Sequence, residues 1–589
     1  MNLIGYFHGI DPAACLLSDG EVMAFVEEER LVRVKHARGL FPIHAIAACL
    51  EIAGLELSQI DGFVYGWDAP RYANGEMALF YERINRLHPP DDETRAWQER
   101  NLSWFTPASL ERRLHDELVR FFGVDRASLA PLWFFPHHET HAAAAFFLSP
   151  FNEALVLVLD GSGDSDCTTL WHGRGSELSR LDRIEIPHSL GWFYAALTEY
   201  LGFRAYDGEY KVMGLAAYGR DNLDFRDRLS RVLRPGPHGF DYELDPTFIH
   251  HGAHSYSERF TDRLIEHLGV TPRLGPAPIE PIHEDLAFEA QRALEESVLR
   301  LLTHYRGHTG LENLCIAGGV GLNVKMNSRI HRSGLFKALA PFPVPSDSGL
   351  GLGATLGLWV KKTGRRPDPL EHVYWGPSYD DAEIEAQIRA CGLAYRRPGD
   401  LEDETARLLA EGKVVAWFQG ALEGGPRALG GRSILADPRT VESRDRVNEA
   451  IKFREYWRPF CPSLTEESAG RFLKNAAHAP YMILAFEATE DAGETVPGVV
   501  HVDGTVRAQT VRRDTHSRYH RLLECFEKRT GVPVLLNTSF NIKGEAIVCS
   551  PRDAFRTFWS TGIDALAIGA FLIEKPEQPE HDARIGSHR

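Results

Sequence analysis

The opening of the chain alternates short apolar runs with turn residues. Leu3–Phe7 and Ala13–Leu17 are separated by Gly9-Ile10-Asp11-Pro12, and Asp19-Gly20 precedes Glu21–Glu28. This pattern predicts strands joined as hairpins. Residues 42–55 place apolar side chains at helical spacing, and residues 76–125 predict largely helical structure with charges on one face. Leu155–Leu159 predicts a buried strand ending at Asp160-Gly161-Ser162-Gly163-Asp164, and Leu314–Ala317 another ending at Gly318-Gly319-Val320-Gly321. Residues 349–359 are glycine-rich yet apolar, as in a closely packed helix. The pattern breaks at Lys361–Pro369, which predicts a linker. Beyond it, residues 380–412 predict helix, turn and helix, and Val414–Phe418 a strand. His501–Val511 reads as a hairpin carrying Arg507, and Val534–Asn541 as a strand running into small polar donors. The Pro- and charge-rich tail after Lys575 is expected to fray.

Composition narrows the class. A chain of 589 residues exceeds one ordinary core, and 43% apolar with 25% charged residues is a globular balance. A formal charge of −17 argues against a nonspecific nucleic-acid or anionic-membrane surface. No apolar run approaches the ~18 residues of a membrane span, and the N-terminus lacks a signal peptide's basic region. Eight scattered cysteines without a Cys-x-x-Cys pair predict reduced thiols and a cytoplasmic protein.

Three turns, at 9–11, 160–164 and 318–323, combine glycine with Asp or Asn after a strand. Such turns offer backbone N–H groups to phosphate and carboxylates to a metal, and together they resemble the sugar-kinase/heat-shock ATPase/actin fold. His137 and His141 are four apart, so they share one face of a helix. The spacing alone is weak: 137/141, 250/254, 304/308 and 516/520 all share it among 26 histidines. Asp160 and the Pro345-Ser346-Asp347-Ser348-Gly349 turn give the first pair its context. Two His with carboxylates suit Fe(II), Mn(II) or Zn(II) better than Mg(II).

A second constellation lies further on. Residues 419–433 carry glycine and proline around Arg427 and Arg432, and Lys452-Phe453-Arg454-Glu455-Tyr456-Trp457-Arg458-Pro459-Phe460 follows. Between 427 and 458 eight Lys/Arg face five Asp/Glu, a basic patch inside an acidic chain. Arg offers a forked donor to phosphate and Lys a point charge. A solvated surface would explain the charges but not the interleaved Trp457, Pro459 and Phe460.

Taken in order, His137-x-x-x-His141, the Asp160 turn, Glu209–Gly219, Gly318–Asn323, Asp347 and the blocks at 419–433, 452–460, 501–511 and 534–541 resemble the nodulation-type and antibiotic-biosynthesis O-carbamoyltransferase family over nearly the whole chain. The resemblance implies an α/β protein with two catalytic parts. Residues 1–365 would form a duplicated actin-like domain similar to the tRNA threonylcarbamoyladenosine transferase. It would hold a divalent metal, iron with Mn or Zn as alternatives, on His137, His141, Asp160 and Asp347, and an adenylate on Gly161, Gly163, Glu209, Lys211, Gly318, Gly319 and Asn323. Residues 366–578 would form a YrdC-like α/β domain binding carbamoyl phosphate and ATP, with Mg²⁺, through Arg427, Arg432, Lys452, Arg458, Arg507, Asn537, Thr538 and Ser539. Residues 579–589 would be a flexible tail.

By that resemblance the C-terminal part makes carbamoyl adenylate and the N-terminal part passes the carbamoyl group to a hydroxyl. Asp11, His8, Lys35 and His36 are candidates for proton transfer. Many relatives carry His directly before the Asp of the first turn; this chain has Ile10, with His8 as a neighbouring substitute. The expected partners are a small hydroxylated acceptor and a second copy in a homodimer, with neither membrane nor nucleic acid. Two other readings compete: tRNA threonylcarbamoylation, which would want basic surface, and a nonenzymatic actin-like nucleotide-binding module, which would not explain the second anion pocket.

Overall fold

A computed structural model describes residues 1–252, 258–455 and 457–575. The expected tail, His254 and Tyr456 lie outside the described residues.

The N-terminal part repeats one sheet design. In the first sheet, Asn2–Phe7, Ala13–Ser18 and Glu21–Glu27 form an antiparallel meander, and Gly62–Tyr65 and Leu132–Phe134 add parallel to Asn2–Phe7 on its other edge. In the second, Glu153–Gly163, Asp166–Arg174 and Glu177–Glu185 form the meander, with Asn313–Ala317 and Ala338–Pro341 parallel on the far side. The order is thus third-second-first-fourth-fifth in both. Two α/β sheets of one topology make a duplicated unit, as the glycine turns predict. Parallel neighbours require crossovers. In the second sheet the 29-residue helix Pro281–Thr309 returns the chain to Asn313. In the first, helices Glu76–Leu87, Asp92–Trp104 and Pro107–Phe122 lie between the last two strands.

Helix Leu350–Thr363 packs against both strand Asn2–Phe7 and helix His137–Phe147. Glycines make that seam. A Cβ on Gly5 would stand 1.9 Å from the Gly351 carbonyl oxygen, and one on Gly353 would stand 2.2 Å from that of Thr140. Backbone therefore touches backbone, which no larger residue permits.

The C-terminal part is a seven-stranded mixed sheet with Val415–Phe418 and Arg432–Ala436 near its middle. Two apolar cores cover it, one including helix Pro551–Trp559 and the other helices Leu401–Ala410 and Ser517–Thr530. Among the described residues no helix is long and apolar enough to cross a membrane.

Three local expectations are corrected. Strand Glu153–Gly163 does not end at Asp160; it runs on through a register break between Leu159 and Gly163, and the turn comes at Asp164, whose φ is 52°. Lys361–Thr363 continue a helix that stops at Gly364, at φ 68°, so the linker starts there. His501–Val511 is not one hairpin. Thr505–Val506 pairs with Phe486–Glu487, whereas Gln509–Val511 runs parallel to Cys461–Thr465. Between them Arg507 turns away, its Nε donating to Cys461 Sγ at 2.7 Å.

Candidate functional site

Helix His137–Phe147 begins with the histidine pair, so both imidazoles emerge from one turn. The bulge after Leu159 turns Asp160 toward them, and the 3-10 turn Asp347–Gly349 brings in Asp347. His137 Nε2 lies 3.2 Å from His141 Nε2 and 3.2 Å from Asp160 Oδ2. Asp347 Oδ1 stands 3.7 Å from His137 Nε2 and 3.6 Å from His141 Nε2. All four ligand atoms fall within 4.8 Å of one another. Ligands about 2.1 Å from one ion lie roughly 3.0–3.4 Å apart, so these spacings fit a divalent cation. The electrostatics agree. Burial and the neighbouring Asp160 push Asp347 up to about 8. Burial opposes ionisation of Asp160 as well, but the hydrogen bond with His137 and the charge of His141 hold it well below the usual range. Two buried carboxylates crowded against two imidazoles form a donor set that suits a cation between them.

Glycine gives this centre its shape. A Cβ on Gly163 would stand 2.0 Å from the His137 ring, and one on Gly318, at φ 84°, 2.1 Å from the Leu159 carbonyl oxygen. Gly319 N donates to Asp160 Oδ1 at 3.0 Å. Gly163 and Gly318 thus serve close packing and do not line the cavity described below, a correction to their expected adenylate contacts.

A second cluster stands nearby. His36 Nδ1 is 2.6 Å from Asp11 Oδ1, His36 Nε2 is 3.3 Å from Asp207 Oδ1, and Lys35 Nζ is 2.7 Å from the same Asp207 oxygen. Burial would lower the His36 imidazole, but its bonds to Asp11 and Asp207 outweigh this and raise it to about 9. His8 differs: it is buried, its ring lies tilted 5.1 Å from that of Tyr65, and it is driven down to about 3 by burial and the charge of Arg113.

The basic residues converge at the C-terminal sheet. Lys452 Nζ donates to Ser539 O (2.7 Å), Asn541 O (2.9 Å) and Asn541 Oδ1 (2.7 Å). Burial, then Arg454 and Arg458, depress it well below the usual lysine range. Burial and Arg507 bring Arg427 down to about 9, and its Nε has no partner. Arg454 is depressed by burial and Arg458, with Nη2 unpartnered. Uncompensated cations this crowded are arranged for an anion. Asn537 Oδ1 is likewise buried without a partner, while its Nδ2 donates to Ser463 Oγ at 2.9 Å. Thr538 and Ser539 follow on the same strand.

One cavity of about 910 Å³ joins these groups. Its walls include Asp160, Asp347, Asp11, Lys35 and His36 from the N-terminal part and Arg427, Lys452, Arg458, Arg507, Thr538 and Ser539 from the C-terminal part. Gly161, Glu209, Lys211, Gly319 and Asn323 also line it. Glu209, the first residue of its helix, accepts from Tyr206 N at 2.8 Å, which fixes the turn before the helix. Lys211 reaches Glu455 at 3.3 Å, and Asn323 exchanges amide hydrogen bonds with Gln291.

Arg432 is a further correction. It is fully buried, outside the cavity, and donates to the carbonyls of Gln419, Gly420, Gly431 and Pro377 while stacking 3.6 Å over Phe418. It anchors the glycine loop and contacts no ligand space. Sequence reasoning also passed over Arg454, though it lies in the basic block, and over Glu29 and Asp207. Those two have no motif; folding carries Asp207 to His36, and Glu29 accepts the His36 backbone N–H.

The carbamoyltransferase N-terminus family model matches residues 3–356, and the carbamoyltransferase C-terminus model matches residues 406–575. The nodulation protein NolNO of Sinorhizobium fredii is 37% identical over 584 residues, covering 98% of this chain and 80% of that protein. An uncharacterized Synechocystis protein is 36% identical, covering 99% of this chain and 97% of its own. Component A of the Acidaminococcus fermentans (R)-2-hydroxyglutaryl-CoA dehydratase overlaps 61% of this chain and 98% of its own at 13% identity, with a TM-score of 0.34, too low to bear on function.

Proposed function

The chain belongs to the carbamoyltransferase family and is a carbamoyltransferase, and on that premise we propose that it is ATP-dependent and transfers its carbamoyl group to a hydroxyl. The observation that carries this is the single cavity with a metal-type centre at one part of its wall and an anion-binding cluster at another.

In this scheme residues 366–578 activate and residues 1–365 transfer. Arg427, Lys452, Arg454, Arg458 and Arg507 receive the phosphates of carbamoyl phosphate and ATP, and Asn537 offers its free carbonyl oxygen to the carbamoyl NH₂. Water cleaves carbamoyl phosphate to carbamate and phosphate. A carbamate oxygen then attacks the ATP α-phosphorus and pyrophosphate leaves, giving carbamoyl adenylate. The cluster's part is positioning and charge neutralisation, with Mg²⁺ accompanying ATP. Passage through the shared cavity would limit the adenylate's exposure to water.

At the other end, Gly161, Glu209, Lys211, Gly319 and Asn323 would hold the adenylate. A divalent ion on His137, His141, Asp160 and Asp347, iron in the first instance with Mn or Zn as alternatives, would supply Lewis-acid polarisation of the carbamoyl carbonyl. The acceptor hydroxyl attacks the carbamoyl carbon, its proton passes to the Asp11 carboxylate, and AMP leaves. The hydrogen-bonded pairing of His36 with Asp11 and Asp207 suits it to orient Asp11 rather than to act as the free base.

The test is carbamoyl-phosphate-dependent release of pyrophosphate from ATP. Wild type is expected to release it, Lys452→Met to lose release by at least about a hundredfold, and His137→Ala to release pyrophosphate but transfer nothing. Absence of release from folded, metal-loaded wild type would refute the mechanism; a His137→Ala protein that releases no pyrophosphate yet transfers the carbamoyl group from supplied carbamoyl adenylate would reverse the two parts.

A further inference from the structure

The cavity has an aromatic compartment to whose side chains the reaction above assigns no role. Trp67 stands edge-on to the ring of His137, with centroids 4.9 Å apart, and stacks on Phe105 at 4.5 Å with planes 15° apart. An aromatic wall therefore begins at the first residue of the metal-type centre. Trp97, Trp104 and Tyr81 extend it along helices Glu76–Leu87 and Asp92–Trp104. These are the helices inserted between the last two strands of the first sheet.

Among the lining residues supplied by the three inserted helices, one is charged: Arg113 of helix Pro107–Phe122. Its guanidinium lies 5.0 Å from the Trp104 ring and 5.9 Å from Phe41, and among the described residues it makes no ion pair. His8 shares the Phe41 contact, at 5.9 Å between rings. His8 is 6% exposed, lines the cavity, and has a buried Nδ1 without a hydrogen-bond partner. Buried polar groups are ordinarily satisfied, so an orphan atom on a cavity-lining residue is a candidate partner for a ligand atom.

We propose that the acceptor is a hydroxylated ring compound carrying a carboxylate, with its flat face on the aromatic wall and its carboxylate between Arg113 and His8 Nδ1–H. The assignment rests on the metal-side compartment being the transfer site. The chemistry favours a carboxylate over other ions. An Arg fork and one imidazole N–H match a planar, singly charged group, whereas a phosphate dianion would find more cations at the Lys452 cluster. A polycationic acceptor would meet Arg113 where Trp104 could otherwise receive it, since the guanidinium already occupies that ring. Tyr65 and Trp67 line the same cavity as Arg113 and Asp347, so one ring compound can lie along that wall with its hydroxyl toward the centre and its carboxylate toward Arg113.

Isothermal titration of the full-length protein with 6-hydroxy-2-naphthoate and with 2-naphthol tests this without any turnover. The naphthoate is expected to bind at least about tenfold more tightly than the naphthol. Arg113→Met should abolish that preference while still binding naphthol, which also reports that the variant is folded; Arg113→Lys should restore part of it. Equal affinity of wild type for the two probes, or an undiminished preference in Arg113→Met, would overturn the assignment. Pyrophosphate release is scored separately, so an inactive enzyme with a carboxylate preference refutes the reaction scheme and leaves the site standing.

Discussion

Replacing Gly163 by Ala adds one methyl group and should unload the metal-type centre. Gly163 does not have the left-handed backbone that an L side chain resists, so the cost is the new Cβ alone. That atom would stand 2.0 Å from Cδ2, 2.2 Å from Cγ and 2.5 Å from Nε2 of His137. Ordinary contact begins at 3.4 Å, so the ring must retreat by about 1.4 Å. It has nowhere to go: His137 is 0% exposed, with His141 4.8 Å and Trp67 4.9 Å away between ring centroids. Ligand distances tolerate about 0.2 Å, so a displacement several times larger removes His137 from the coordination sphere. Perturbing groups that merely support a ligand costs about 10–100-fold in metal affinity, and losing the ligand itself should exceed that. The assay is competition with a graded series of chelators, followed by metal analysis of the recovered protein. Carbamoyl-phosphate-dependent pyrophosphate release reports on the other end of the cavity in the same sample. A Gly163→Ala protein with wild-type metal content and affinity would refute the account of the centre.

Other outcomes follow from the same geometry. Arg432→Met leaves four carbonyls without their donor and should cost about 3 kcal/mol of stability, seen as a lowered melting temperature. Arg427→Met removes one of several crowded cations and should melt at or above wild type while losing pyrophosphate release; a reversed pattern would exchange their roles. The His36 imidazole is raised to about 9 from 6.5. Its contribution is therefore complete below about pH 6.5 and is lost as pH rises to 9, a difference of about 3 kcal/mol. Melting temperature should fall over that interval in wild type and change less in His36→Gln. Arg33 donates to the Ala546 carbonyl oxygen at 2.8 Å and lies 3.4 Å from Asp553, tying the N-terminal part to the C-terminal part. Arg33→Ala should split one calorimetric unfolding transition into two.

Much of this molecule was legible in the sequence, and what was hidden has physical causes. The strands at Leu3–Phe7, Leu155–Leu159 and Leu314–Ala317 were plain because buried strands are unbroken apolar runs. That Glu153–Gly163 continues past Asp160 was not, since a bulge keeps strand pairing while inserting the glycine and aspartate that usually mean a turn. His137 and His141 were weak evidence alone, and they meet Asp160 and Asp347 through contacts spanning most of the N-terminal part. Arg427 and Arg432 look equivalent on paper, five residues apart beside glycines, yet one faces the cavity and the other the backbone of its own loop. No local pattern marks Asp207, because its partner His36 is reached only by folding, while Glu29 accepts the His36 backbone N–H from seven residues away without any motif to announce it. Gly163 and Gly318 look like ligand-contacting glycines, and only three dimensions show that a histidine ring and a carbonyl fill the space.

The glycine seam of helix Leu350–Thr363 bears on how molecules enter. Two-lobed proteins commonly open like a clam, with the lobes swinging about a lubricated joint of side chains. Here the joint brings backbone against backbone at Gly5, Gly351 and Gly353, with the Thr355 and Thr140 methyl groups packed beside it. The vessel is rigid at its spine. Swinging the lobes apart would have to break that seam, so turnover is expected to depend more on the rotamers of cavity-lining side chains, such as half-exposed Trp104 beside Arg113, than on the breathing of whole lobes.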